Sequence, residues 1–327
     1  MAHSGVLARR GVLAAGLAGA WWPARAAEPW PGRPVRVIHG FGPGGNPDLV
    51  GRILAAGLSE KLGQPFVVEG RPGASGIPAS ELVTRQSADG HTLLILTAGH
   101  GVSAALAARL PYDAVRDFSF ITQLTEYPLL VVTRPDHPAA DMAQMLAMAR
   151  ARPLALFWGS GGGRATTQGL SGEMIGLLAE ARMTQVNYLS VAAAHADLAA
   201  GRLDWLVDTP TTLLGQVQAG RMRPLAVTGA GRYAPLPAVP TLREAGLAGY
   251  EAVSWVGLAG PPGMAPELVA RINAECGAVL RESDAAQRLA ALGSEVRFST
   301  PASFRDRVAS DVARWTEVVA RAGLERQ

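Results

Sequence analysis

The sequence predicts an α/β fold in two lobes. Three observations lead there. Short β-branched runs alternate with Ala/Leu-rich helical stretches along most of the 327 residues. That alternation breaks at Gln123–Pro128 and Gly249–Val253, which read as crossovers, two extended strands joining two sheets. Two glycine-rich loops each follow a predicted strand and lead into a predicted helix.

The elements follow in order. Val35–Ile38 reads as a strand, Asp48–Leu62 as a helix, Phe66–Val68 as a strand and Ile77–Gln86 as a helix. Thr92–Thr97 (strand) and Ser103–Ala108 (short helix) complete the first run. The second run begins with Leu129–Thr133, Asp141–Ala151, Leu156–Trp158 and Thr166–Glu180. Val186–Tyr188, Ala192–Ala200, Leu203–Val207, Thr211–Ala219 and Leu225–Thr228 continue it. A β-α order of this kind argues for parallel sheets covered by helices. Beyond the second break, Glu251–Leu258 is a strand, and Pro266–Leu280, Asp284–Leu292 and Pro301–Ala322 are helices. Pro266 and Pro301 stand at helix starts, where the missing N–H costs little. This tail is expected to pack back on the first lobe. The predicted lobes are residues 27–126 plus 252–327, and residues 127–251.

The N-terminus reads as an export signal. Arg9-Arg10 precedes an apolar stretch from Val12 to Trp22, and Ala24-Arg25-Ala26 supplies an A-x-A cleavage pattern. The arginine pair resembles a Tat signal, whose receptor accepts folded cargo. Residues 1–26 are therefore expected to be removed near Ala26, and the mature chain to work in the periplasm. The apolar stretch is only about half of the ~20 residues a membrane span needs.

Composition narrows the chemistry. The net charge is +3, and Arg9, Arg10 and Arg25 of the signal account for it, so the mature chain is close to neutral. No basic stripe is left to neutralise phosphates, which argues against nucleic acid as a partner. Cys276 is the only cysteine. It lies in a helical pattern with Leu268, Ile272 and Leu280 and reads as a buried structural thiol. No H-x-x-x-H, C-x-x-C or H-E-x-x-H spacing suggests a metal, and no cofactor motif is present.

The first loop runs from His39 through Phe41-Gly42-Pro43-Gly44-Gly45 to Asn46-Pro47-Asp48. Gly44 and Gly45 let a backbone approach a ligand closely. Asn46 suits an N-cap and Pro47 the first helical position. The helix N-terminus behind them favours anions. The second loop, Gly159 to Thr167, contains Ser160, Gly163, Arg164, Thr166 and Thr167. Its hydroxyls sit beside free N–H groups, and Arg164 could pair with a carboxylate at two points. Ligands of open α/β sheets bind at the carboxyl ends of strands, so two facing edges would enclose a small molecule.

Asp48 and Asp208 each have two readings. Facing a carboxylate ligand, they would need a hydroxyl, an amino group or a bridging water between the charges. Otherwise Asp48 stabilises its helix N-terminus. An exported hydrolase using Ser160 is the rival reading. Its nucleophile elbow fails, because Trp158 stands where G-x-S-x-G needs glycine. No histidine lies late in the chain to serve it.

These residues resemble a known family. Pro34-Val35-Arg36-Val37-Ile38 with Phe41-Gly42-Pro43-Gly44-Gly45-Asn46-Pro47-Asp48 is similar to the first binding loop of the Bug family, the solute receptors of tripartite tricarboxylate transporters. Gly63-Gln64-Pro65-Phe66, Arg71-Pro72-Gly73-Ala74-Ser75-Gly76 and Asp89-Gly90-His91-Thr92 resemble its next signatures. Tyr112-Asp113, Leu225-Ala226-Val227-Thr228, Pro240-Thr241, Glu244-Ala245-Gly246 and Trp255-Val256-Gly257 continue in family order. The resemblance implies a type II periplasmic binding fold, a carboxylated ligand held between the two loops, and no catalysis. It implies membrane transporter subunits as partners, with a signalling sensor as the alternative, and a monomer is expected. The second loop departs from the family: Gly169 stands where a histidine is usual, and Arg164 is added. His39-Gly40 replaces an apolar-proline pair, and Ser190-Val191-Ala192-Ala193 replaces Gly-x-x-Pro.

Overall fold

The computed structural model describes residues 30–161, 163–188 and 190–326. The expected signal peptide, residues 1–26, lies outside them. The first lobe begins β1 (Val35–His39), α1 (Asn46–Leu62), β2 (Phe66–Gly70), a 3-10 turn (Ala74–Gly76), α2 (Ile77–Thr84), β3 (Thr92–Thr97) and α3 (Gly99–Leu106). The chain crosses along β4 (Ser119–Pro128) into β5 (Leu130–Thr133). The second lobe continues with α4 (Met142–Ala151), β6 (Phe157–Gly161), α5 (Thr167–Leu178), β7 (Thr184–Tyr188) and α6 (Val191–Ala199). It ends with β8 (Trp205–Asp208), α7 (Pro210–Gln218) and β9 (Arg223–Val227). The return strand is β10 (Val253–Gly260), followed by α8 (Pro266–Arg281), α9 (Ser283–Ala291), β11 (Glu295–Val296) and α10 (Pro301–Arg321).

The strands form two separate sheets, ordered β11-β4-β10-β3-β1-β2 and β7-β6-β8-β5-β9. Both are mixed, which corrects the expectation of parallel sheets. β1 runs parallel to β2 and β3, but β10 is antiparallel to β3 and β4. In the second sheet β5 is antiparallel to β8 and β9. The reason is connectivity: one crossing strand leaves the first lobe and another returns, so they run in opposite directions and pair. Ser254 faces Tyr127 in that register, and its Oγ donates to Tyr127 Oη at 3.2 Å.

Each sheet buries its own aromatic core. Trp158 and Trp205 stack at 5.0 Å in the second lobe. Trp255 meets Phe304 edge-on at 5.1 Å in the first. The C-terminal tail packs on the first lobe as expected, α8 and α10 against β4 and α10 against α3. Asp311 of α10 fixes that docking. Its buried carboxylate accepts from Trp255 Nε1 at 2.7 Å and Arg314 Nη2 at 2.9 Å. Cys276 is buried in α8, and burial pushes its thiol up to about 12, consistent with a structural role. Among the described residues, no helix is long and apolar enough to cross a membrane.

Candidate functional site

The C-terminal edges of β1 and β3 face those of β6 and β8. The first loop leaves β1 and enters α1 through Gly45, which takes the N-cap position with φ −73° and ψ 162°. Asn46 is thus the first helical residue, not the cap expected from sequence. Its side chain is free to reach across the cleft. Asn46 Nδ2 donates to Thr211 Oγ1 of α7 at 3.0 Å and to Ser294 Oγ at 3.0 Å. Thr211 Oγ1 in turn donates to Leu292 O at 2.9 Å. A second bridge joins Ser75 Oγ of the 3-10 turn to Ala165 O of the second loop at 2.9 Å. Tyr233 Oη donates to Gly293 O at 2.8 Å. The Asn46–Thr211, Ser75–Ala165 and Tyr233–Gly293 bonds join the two lobes.

Asp48 is 2% exposed and lies behind the first loop. Its Oδ2 accepts from Gly44 N at 2.9 Å and Arg52 Nε at 3.1 Å, and its Oδ1 lies 3.0 Å from Arg52 Nη2. Burial opposes its charge. The Arg52 and Gly44 hydrogen bonds outweigh burial and hold the carboxyl below its ordinary value. Phe41 is half-buried on the loop, Gly44 exposed and Gly45 half-buried.

In the second loop Thr166 caps α5. Its Oγ1 accepts from Gly169 N at 3.1 Å and donates to Gly163 O at 2.7 Å. Thr167 is buried at the first turn. A Cβ on Gly169 would lie 2.5 Å from Arg164 O and 2.7 Å from Gly163 O. The loop backbone therefore occupies the space a larger residue would need at Gly169. Arg164 was expected to aim at a ligand carboxylate. Its guanidinium instead turns to Gln185, with Nε donating to Oε1 at 2.9 Å, and lies 4.0 Å from Glu173.

Asp208, at the end of β8, is 1% exposed. Its Oδ1 accepts from Thr209 N at 2.7 Å, and its Oδ2 lies 3.5 Å from His195 Nε2. A Cβ on Gly161 would fall 2.7 Å from Asp208 Oδ2, so Asp208 sits directly behind the loop. Ser160 precedes Gly161 in β6 and projects to the opposite face by strand alternation. Its Oγ donates to Gly163 O at 3.4 Å. Ser160 and the His195–Asp208 pair are thus on different faces of the sheet, and no nucleophile–base pair is assembled there. Among the described residues, no group of three or more His, Cys, Asp or Glu side chains could hold a metal.

The sequence reading gave no site role to Ser75, Thr211 or His195, and marked His39 only as a departure from the family. Thr209-Pro210-Thr211 carried a usable signal, hydroxyls beside a helix-start proline after a strand. The cavity between Phe41, Ser75, Gly76, Thr97 and His100 is about 10 Å³, room for one water at most. Two larger cavities, about 450 and 420 Å³, flank the later turns of α5, away from the loops at its N-terminus. A two-lobed α/β protein with a glycine loop on each side of the lobe boundary has the layout of a solute-binding protein.

Residues 50–324 match the tripartite tricarboxylate transporter family receptor. A protein encoded between tcbD and tcbE in a Pseudomonas species is 34% identical over 297 residues, 90% of this chain and 88% of the relative. BugT of Bordetella pertussis is 29% identical, covering 92% of each chain. A solved R. palustris protein with adipate superposes with a TM-score of 0.82 at 34% identity, covering 90% of this chain and 98% of that one. MatC from Rhodopseudomonas palustris, with bound malate, gives 0.79 at 30% identity, covering 89% and 100%. The periplasmic binding protein BugD gives 0.81 at 27% identity, covering 91% and 100%. The chain belongs to the tripartite tricarboxylate transporter receptor family, of which the Bug proteins are close neighbours. It is a solute-binding receptor of that transporter type.

Proposed function

We propose that the protein captures a small carboxylate in the periplasm and presents it to the membrane subunits of a tripartite transporter, without catalysis. The observation that supports this reading is that each glycine loop is bonded to the opposite lobe. Ser75 reaches Ala165 and Asn46 reaches Thr211, so whatever lies between them is enclosed by both lobes. The moving bodies are residues 27–126 plus 252–327, and residues 127–251, hinged at β4 and β10.

The ligand is held by Phe41, Gly44, Gly45 and Asn46 on one side and by Ser160, Gly163, Thr166 and Thr167 on the other. Backbone N–H groups at the starts of α1 and α5 supply the anion's hydrogen bonds. Asp48 and Asp208 act from behind the loops, and Arg164 braces the second loop through Gln185. Adipate and malate, bound by two relatives, are the first acids to test.

The experiment is a thermal-shift screen of mono- and dicarboxylates, with amino acids and sugars as comparison. A ligand at a hundred times its Kd adds about 2.7 kcal/mol to the native state. Selective shifts by carboxylates support the reading, and shifts by sugars alone would refute it. Export is tested separately. Changing Arg9 and Arg10 to lysine should trap precursor in the cytoplasm, and an unchanged periplasmic yield would exclude the Tat route.

A further inference from the structure

His39 stands in the first loop's own strand, at a position where the family resemblance leads one to expect an apolar side chain. It is 1% exposed and touches the loop at both ends. Its Nδ1 accepts from Phe41 N at 3.3 Å. A ring nitrogen that accepts carries no proton, so the proton of the neutral imidazole is on Nε2. That nitrogen lies 3.2 Å from Asp48 Oδ1, off the line of a well-aligned hydrogen bond. Asp48 in turn holds Gly44 N. One imidazole–carboxylate pair thus ties down Phe41 at the loop's start and Gly44 near its end.

We infer that neutral His39 is the positioning residue of the first glycine loop, and that its protonation frees Phe41 and weakens ligand capture in acid. This rests on the carboxylate-receptor reading above. Protonation would place an N–H on Nδ1 facing the Phe41 N–H, and two donors cannot bond. The loop must then move away, and its amides no longer converge on the ligand.

The surroundings decide the direction. From α1 the charged groups facing His39 are Asp48, which favours the imidazolium, and Arg52, which opposes it. From β2 the neighbour in register is Gly70, and a Cβ there would lie 3.1 Å from His39 Cε1. The flanking charges of Glu69 are taken by Arg36 and Arg71. From β3 the neighbour in register is the apolar Ile95. Burial is the largest influence, and it keeps the imidazole neutral to lower pH than an exposed histidine. Capture should therefore hold at neutral pH and weaken below the ordinary histidine range.

The test uses the full mature chain and three substitutions. His39→Asn places an amide oxygen where Nδ1 was and does not titrate. His39→Leu removes the acceptor. His195→Gln removes the other histidine paired with a carboxylate behind a glycine loop. Adipate and malate affinities are measured by calorimetry at pH 7.5 and 5.5. The wild type should bind more weakly at pH 5.5 than at 7.5, with roughly 2- to 12-fold, the worth of one hydrogen bond, as the ceiling once the ring is fully protonated. His39→Asn should lose that dependence, apart from the acids' own ionisation, which all four proteins share. His39→Leu should bind weakly at both pH values. In parallel, nitrogen-15 NMR should give an Nε2–H tautomer for His39, and the Phe41 amide should titrate with the ring. An Nδ1–H tautomer, or a Phe41 amide indifferent to pH, would overturn the inference. So would a pH dependence kept in His39→Asn and lost in His195→Gln. If neither acid binds, the carboxylate reading fails, and the NMR titration still decides the role of His39.

Discussion

Asn46 Nδ2 of the first lobe donates to Thr211 Oγ1 of the second at 3.0 Å. The same nitrogen donates to Ser294, so one amide spans the rim of the cleft. Asn46→Ala should favour the open form. Losing this bridge removes about 1–2 kcal/mol from closure, or roughly 5- to 30-fold in the closed population. Small-angle scattering should record a larger radius of gyration for the variant. An unchanged radius and unchanged affinity for carboxylates would show that the bridge does not govern closure.

Arg164 offers a contrast. Its guanidinium is bonded to Gln185 and more than a third exposed. Arg164→Ala should change carboxylate affinity by less than about 3-fold, because an exposed brace is worth well under 1 kcal/mol. A loss of roughly 10- to 150-fold, the range for a charge-assisted bond, would instead place Arg164 on the ligand.

Asp311 should matter for folding rather than for binding. It is 2% exposed and joins Trp255 to Arg314 and Arg307. Asp311→Ala leaves the indole N–H and the arginines without their acceptor. Denaturant unfolding should register a loss of about 3–5 kcal/mol. A loss below 1 kcal/mol would mean that α10 docks through its apolar face alone.

Stability should fall in acid through His100. It is buried, its Nε2 lies 2.8 Å from Ala114 O, and burial lowers its pKa to about 4. The unfolded chain takes up this proton near pH 6.5 while the folded chain resists it. The contribution is complete above pH 6.5 and is lost as pH falls toward 4. It amounts to on the order of 3 kcal/mol. His100→Gln keeps a donor without a titrating ring, so its stability should vary less between pH 7 and 4.5. Equal slopes for both proteins would remove His100 as the source.

Much of the element order could be read from the residues. Thr92–Thr97 is the strand the alternation predicted, and Pro266 and Pro301 open α8 and α10 as helix-start prolines should. The crossing strand β4 was legible only over Gln123–Pro128, and its first residues were not. Ser119–Pro128 mixes Ser, Thr, Gln and Glu with its apolar residues, so no clear strand alternation marks where it starts. Its polar positions are covered by other parts of the chain. Thr122, for example, donates from Oγ1 to Ser299 O at 3.0 Å, across 177 residues. No local pattern reports such a partner.

Residue order alone carries the α/β class, the two glycine loops, the helix starts and the resemblance to a receptor family. Those follow from periodicity, proline and glycine positions, and ordered motifs, all of which are local. Tertiary structure alone decided strand direction, because β4 and β10 pair only once the chain has crossed and returned. It also decided what each site residue touches. Asn46 gave up capping to reach Thr211, Arg164 turned to Gln185, and His39 came to rest on Asp48. A side chain's chemistry is written in its residue type, whereas its partner is set by which distant segment folds against it.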